Sequence, residues 1–271
     1  MKPSASRLLP ALFVLAIALP FSTQAHKAWM LPSATVVSGD TPWIGVDAAI
    51  SNSLFYPDHF PLPLNAVTIT APNGDTVGLQ NPHTGKWRSV FDVELKQAGT
   101  YRIASVSSGL FANWEENGEP KRWRGTAQGF DQEVPKSAAK LQVTQSSNRV
   151  ETFVTNGAPD QGALAPVDSG LELVPITHPN DLFAGEAAHF RLLIDGKPAT
   201  AAKVEIIQGA TRYRNDPDEI HAISDAAGNF SVTWPAAGMY WLNAIMLDDH
   251  AKSPATSRRA SYTATLEVLP Q

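Results

Sequence analysis

Apolar and polar residues alternate along short segments of this chain, the pattern of half-buried β-strands. In segments 67–70 and 91–95 every second residue is apolar and would face a core. Comparable runs of β-branched and aromatic residues recur between turn residues. They predict strands at 34–37, 43–50, 66–70, 90–95, 100–106, 150–154, 188–194, 203–208, 229–234, 239–247 and 262–268. This spacing predicts an all-β chain built from sandwiches.

Turn residues divide the predicted strands into two similar halves. Twenty-one prolines and 18 glycines argue against long helices, and only 136–141 offers a short helix-compatible stretch. Segment 156–170 is rich in Gly, Pro and small residues and has no periodicity, so it is expected to connect two domains. We therefore predict two Ig-like or transthyretin-like β-sandwich domains, at 26–155 and 171–271, joined by 156–170.

Segment 107–133 is expected to elaborate the first domain. It contains Trp114, Trp123 and the turn pair Asn117-Gly118, with acidic residues before the turn and basic residues after it. One interpretation is a β-hairpin with oppositely charged arms. The other is a ligand-facing loop whose tryptophans stack on sugars or on another protein. The residues leave both open.

The first 25 residues have the pattern of a cleavable signal peptide. Lys2 and Arg7 precede an apolar run over 8–21, and small residues place the predicted cleavage after Ala25. The run is shorter than the roughly 20 apolar residues that cross a bilayer. We expect a periplasmic or secreted protein with no integral membrane segment after processing.

Charge and cysteine content narrow the possible ligands. The chain carries a net charge of −5 and becomes more acidic once Lys2 and Arg7 are removed, so nucleic acid is not an expected partner. Without any cysteine, a transition-metal site would have to use imidazole, carboxylate, methionine or the N-terminal amine.

His26 is the leading metal-ligand candidate because the predicted cleavage makes it the first residue of the mature chain. A terminal histidine offers its α-amine and its imidazole to one ion, and a second histidine completes a set suited to copper, which nickel and zinc could also use. The alternative is an ordinary solvated residue. Further candidates are His250 with Asp248 and Asp249, in a strand-end loop, and His59, in a proline-bounded loop.

Catalytic signatures are missing from the sequence. It has no Gly-x-Ser-x-Gly elbow, no His-Glu-x-x-His motif and no phosphate-binding glycine loop. We therefore expect no enzymatic activity and no catalytic residues. Copper-dependent oxidation at a histidine brace is kept as a minor alternative.

Motifs along the whole predicted mature chain resemble the DUF4198 family. They lie at 25–32, 170–175, 195–198, 224–228 and 262–268. Members are exported bacterial proteins often labelled as periplasmic components of nickel or cobalt uptake, and the resemblance implies the same setting here. Only His26, in the opening His-x-x-Trp-x-x-Pro, carries over as a candidate ligand. The second half also looks like transthyretin-like and carboxypeptidase-regulatory-like modules, which are usually noncatalytic.

Taken together, these features lead to a hypothesis with one alternative. The chain is expected to be a periplasmic binding protein for a divalent transition metal that serves a membrane transporter. The alternative is a noncatalytic recognition module that binds a glycan or a partner protein through 107–133.

Overall fold

The computed structural model describes residues 26–271, which are mostly β-strands; the predicted signal peptide lies outside them. The strands are β1 (Lys27–Pro32), β2 (Val36–Val37), β3 (Trp43–Ser51), β4 (Phe60–Pro61), β5 (Val67–Thr70), β6 (Thr76–Val77), β7 (Gln80–Thr84), β8 (Ser89–Glu94), β9 (Gly99–Glu116), β10 (Glu119–Gly125), β11 (Ala139–Asn156), β12 (Leu171–Pro175), β13 (Ala187–Ile194), β14 (Lys197–Pro198), β15 (Lys203–Gln208), β16 (Ile220–Ile223), β17 (Asn229–Thr233), β18 (Gly238–Asp248) and β19 (Ser257–Val268). Helical structure comprises α1 (Ala127–Glu133) and 3₁₀ turns at Leu64–Ala66, Gly162–Leu164 and Thr211–Tyr213. This content confirms the predicted all-β sandwich class.

A ten-stranded sheet, here called the middle sheet, runs through both halves of the chain. Its order is β16-β15-β18-β19-β11-β9-β5-β6, with β10 paired to β9 and β2 paired to β11. The halves join where β11 and β19 pair in parallel, from Thr144 opposite Ser257 to Thr152 opposite Thr265. Backbone hydrogen bonds therefore link the two halves directly.

Two smaller sheets cover opposite faces of the middle sheet. On β11, Val150 and Val154 pack into the core beneath the five-stranded sheet formed by β1, β3, β4, β7 and β8. On β19, Tyr262 and Leu266 pack into the core beneath the four-stranded sheet formed by β12, β13, β14 and β17. Val150 lies opposite Thr263, so these two side chains point to the same face of the middle sheet. Tyr262 is the next residue along β19 and therefore points to the opposite face. The middle sheet is thus shared by two sandwiches on opposite sides.

Segment 156–170 crosses from the end of β11 to the start of β12. It contains a 3₁₀ turn in which Ala163 and Leu164 are buried, and Leu164 belongs to the core of the second sandwich. The domain limits drawn from the sequence remain a prediction.

Segment 107–133 is a β-hairpin followed by a short helix. Asn117 and Gly118 both have positive φ, 52° and 82°, as a tight two-residue hairpin turn requires. Trp114 and Trp123 pack in a satellite cluster that includes Phe130 of α1. The hypothesis of a tryptophan stacking surface therefore gains no support from this packing.

The short helix lies earlier than the helix-compatible stretch 136–141. The helix α1 begins after Thr126, whose hydroxyl accepts a hydrogen bond from the N–H of Gly129. Residues from Ala139 onward instead start β11, because they pair with β9. Within 26–271, no helix has the length and apolar character needed to cross a membrane.

Candidate metal and ligand site

His26 and His59 meet at one end of the five-stranded sheet. The end of β3 has β1 on one side and β4 on the other, since Ile50 pairs with both Ala28 and Phe60. The residues just before β1 and just before β4 are therefore brought to the same edge. The rings of His26 and His59 stack with their centroids 3.8 Å apart and their planes 19° from parallel.

The loop that carries His59 is fixed by its neighbour Asp58. The Asp58 carboxylate accepts hydrogen bonds from the backbone N–H groups of Asn52 at 2.7 Å and Ser53 at 3.0 Å. Partial burial alone would raise the pKa of Asp58, but these backbone hydrogen bonds outweigh it and leave the pKa below its usual value. The carboxylate thus holds the loop in place and positions His59.

These two imidazoles can supply two nitrogen ligands. A bound ion lies about 2 Å from each nitrogen and close to the plane of each ring, so stacked rings must tilt apart to share it. His26 is exposed and precedes β1, so nothing in the strand pairing prevents its ring from turning. In the part of the chain that the structure describes, no group of three or more His, Asp or Glu side chains is placed to hold one ion.

His250, Asp248 and Asp249 form a separate group at the end of β18. The Asp248 carboxylate receives hydrogen bonds from Arg258 at 2.9 and 2.6 Å, which hold the pKa of Asp248 below its usual value. His250 Nδ1 lies 3.8 Å from Asp248 Oδ1 and 3.6 Å from Asp249 Oδ1. Because Arg258 already engages Asp248, that carboxylate is poorly available to a metal. Any role of this group with His26 remains a prediction.

His178 lies in the loop between β12 and β13. Its side chain is buried between the sandwiches, with Nε2 2.9 Å from the Asp160 carbonyl and 3.1 Å from the Thr100 hydroxyl. Its Nδ1 accepts a hydrogen bond from the N–H of Asn180 at 3.1 Å. Burial lowers the pKa of His178. This histidine supports the junction and has no free nitrogen for a metal.

A large cleft opens beside His26. Its volume is about 1380 Å³, and His26 and Lys27 form part of its wall. Its floor is part of the middle sheet, on the face that carries the five-stranded sheet but beyond the area that this sheet covers. Floor residues follow the strand pairing: Asn148 lies opposite Ser261, and Asn243 lies opposite Thr263.

The middle of the floor consists of neutral, hydrogen-bonded side chains. The Ser261 hydroxyl donates to Asn148 Oδ1 at 2.7 Å, and the Thr263 hydroxyl donates to Asn243 Oδ1 at 3.3 Å. Next to Asn243 in the sheet, Glu205 is half-buried. Burial and the nearby Glu219 raise the pKa of Glu205, while Lys27 and His221 offset part of this rise. The cleft residues were not identified from the sequence, although the alternation of polar with apolar residues in 257–268 is a detectable signal.

The comparisons with known proteins place the chain in one family and supply no activity. A family described as "Domain of unknown function (DUF4198)" matches residues 23–248. A search of curated proteins finds no match. Solved structures with some similarity include a "D0-D1 domain of Intimin", at 12% identity and TM-score 0.22, covering 89% of this chain and 97% of that one. Two chains titled "Marsupial T cell receptor" share 9% identity at TM-scores of 0.21 and 0.20, each covering 90% of this chain, and 74% and 73% of their own length. Scores this low establish no shared fold.

Proposed function

This chain belongs to the DUF4198 family of domains of unknown function, and we propose that it binds a divalent transition metal through His26 and His59. The observation that carries the proposal is the stacking of these two rings, from residues 33 positions apart, at one edge of the sheet. Among the described residues, this pair joins the predicted mature N-terminus to a second imidazole.

Removal of residues 1–25 would supply the third donor. Cleavage after Ala25 converts the amide nitrogen of His26 into an α-amine beside its own imidazole. His26 would then contribute two nitrogens and His59 a third. Three nitrogen ligands without thiolate suit copper, nickel, cobalt or zinc, and copper is favoured by its position in the Irving–Williams order.

The proposed setting is the periplasm, with the metal as cargo. Export would follow from the signal-peptide pattern of 1–25, and an exposed His26 at the rim of the molecule is accessible to a membrane transporter of a metal uptake system. The same three nitrogens could also form a copper histidine brace. Sustained consumption of O₂ by the copper-loaded protein, with ascorbate as the electron donor, would distinguish redox chemistry from metal storage, because stored Cu²⁺ accepts only one electron per ion.

The proposal is tested first at the N-terminus and then by titration. Intact-mass spectrometry of the exported protein should give a chain that begins at His26. Isothermal titration of this protein with Cu²⁺, Ni²⁺, Co²⁺ and Zn²⁺ should show one site, and His26→Ala and His59→Ala should each weaken it by at least tenfold. His83→Ala, an exposed histidine on β7, is the matched control and should bind as the wild type does.

A fourth protein separates the amine from the imidazole. Adding Gly-Ser-Gly-Ser before His26 keeps both rings and moves the terminal amine away from His26, and it avoids placing histidine third in the chain, where a new copper and nickel chelate would form. Affinity should therefore fall as it does in His26→Ala. Equal affinity in the wild type, His26→Ala and the extended protein would refute the proposal. A mature chain that begins elsewhere would also refute it.

A further inference from the structure

The cleft beside His26 carries positive charge in an acidic protein. Its lining contains the cations Lys27, Arg124, Arg212, Arg214 and Arg259, against only two carboxylates, Glu205 and Glu219. The whole chain shows the reverse balance, 21 Lys and Arg against 26 Asp and Glu. A concave positive region on a negative surface concentrates small anions and excludes large acidic partners.

Four of these cations have no carboxylate partner, although Arg259 Nη1 lies 3.5 Å from Asn148 Oδ1. Lys27, Arg124, Arg212 and Arg259 form no salt bridge with a carboxylate of residues 26–271, whereas other surface cations, such as Lys140 with Glu115, do. Arg214 differs, because its guanidinium donates to the backbone carbonyls of Gln208 and Pro217 and is used by its own loop.

Aromatic rings support two of the free arginines. The Arg212 guanidinium lies 4.1 Å from the ring centre of Tyr56, so a residue of the second sandwich contacts a loop of the first. The Arg124 guanidinium lies 5.0 Å from the ring centre of Phe111. Stacking of this kind holds a guanidinium by its face and leaves its N–H edge available to an acceptor.

We propose that this cleft binds a small organic anion with two or more carboxylate groups. Planar carboxylates match the forked N–H edge of Arg124 and Arg259, and Lys27 on β1 supplies a further charge to the lining. The neutral amides and hydroxyls of the floor can bind the remaining polar groups of such a molecule. A volume of about 1380 Å³ far exceeds the space a single inorganic ion needs and is larger than the roughly 300–1,000 Å³ of typical organic-ligand sites, so a whole organic anion can enter.

Calorimetry on metal-free protein tests this proposal separately from the metal site. Metal is removed with a chelating resin, because a soluble polycarboxylate chelator would itself compete for the cleft. Tricarballylate is titrated at low salt into the wild type, the Arg124→Gln/Arg259→Gln variant and the Arg88→Gln control. Arg88 is an exposed arginine paired with Asp47 on the five-stranded sheet and does not line the cleft, so it controls for the effect of a charge lost elsewhere on the surface.

The double variant is expected to bind at least tenfold more weakly, the control to bind within twofold of the wild type, and wild-type affinity to fall as salt is raised. Circular dichroism confirms that the variants fold, and Lys27→Gln provides a second test on a different strand. The proposal is overturned if the wild type does not bind tricarballylate, or if the double variant and the Arg88→Gln control lose affinity equally. It is also overturned if an uncharged trisaccharide or inorganic phosphate binds the wild type as tightly as tricarballylate does. Failure here leaves the His26–His59 proposal intact, since no metal is present.

Discussion

Acidification is expected to destabilise the folded protein through His178. The imidazole is buried, and its Nδ1 accepts the N–H of Asn180 while its Nε2 donates to the carbonyl of Asp160. Adding a proton to Nδ1 would place its N–H against the backbone N–H of Asn180, two donors with no acceptor between them, and would also bury a positive charge. The neutral ring is therefore the form that fits the junction, in agreement with the lowered pKa.

The sign of the effect follows from the two states. In the unfolded chain histidine titrates near pH 6.5, whereas in the folded chain the pKa of His178 is lower. Well above pH 6.5 the His178 imidazole is neutral in both the folded and the unfolded state, so its full contribution to the free energy of unfolding is present. As pH falls below 6.5 only the unfolded state gains the proton, so the free energy of unfolding drops by at most about 1.4 kcal/mol per pH unit.

Urea unfolding at pH 7.5, 6.5, 5.5 and 5.0 measures this slope. His178→Gln should be less stable than the wild type at pH 7.5, by about 1 to 3 kcal/mol for the lost hydrogen bonds. Its stability should then fall less steeply with acid. His83→Gln, altered at an exposed histidine, should retain the wild-type slope. Parallel slopes in the wild type and His178→Gln would refute the reasoning.

Two further substitutions test the contacts that hold the layers together. Trp241→Phe removes the 2.9 Å hydrogen bond from Nε1 to the Ala28 carbonyl and replaces a ring packed between the five-stranded and middle sheets with a smaller one. The free energy of unfolding should therefore fall by about 2 to 4 kcal/mol. Circular dichroism should follow this unfolding because a fluorophore is lost, and a change below about 0.5 kcal/mol would contradict the packing role. Tyr262→Phe removes a donor 2.9 Å from the buried Glu151 carboxylate and should cost about 1.5 to 3 kcal/mol in thermal or urea unfolding. Unchanged stability would show that Glu151 is satisfied without it.

The alternating segments were predictable because each places apolar residues on one face. Each of the eleven predicted runs overlaps a strand; 203–208, for example, is β15, whereas only Val36–Val37 of the run 34–37 is a strand. Two strands extend well beyond their predicted runs: β9 continues to Glu116 and β11 begins at Ala139. The added residues include serines and charged side chains that extend beyond the sandwich core. Those of β9 form one arm of the hairpin, and those of β11 pair alongside it. Their strand conformation comes from pairing between β9 and β11, which a local pattern does not reveal.

The candidate site was predictable only in part. His26 and His59 could be chosen as chemically suitable residues, but their contact depends on both β1 and β4 pairing with β3. Asp248 was a further candidate because Asp249 and His250 follow it in the chain. Its commitment to Arg258 arises from the pairing of β18 with β19. Sequence therefore identifies possible donors, whereas strand register decides which donors meet.

The cleft follows from the offset between the two outer sheets. Along one face of β11 the residues change from Val154 and Val150, which lie beneath the five-stranded sheet, to Asn148, which lies in the cleft. An uncovered strand face must satisfy its polar groups with water, neighbouring side chains or a ligand, so asparagine and serine replace valine there. Because β11 and β19 pair in register, the polar region continues from Asn148 to Ser261 and crosses the junction between the sandwiches. A ligand in this cleft would contact both halves of the chain, and its binding should stabilise the pairing of β11 with β19 against unfolding.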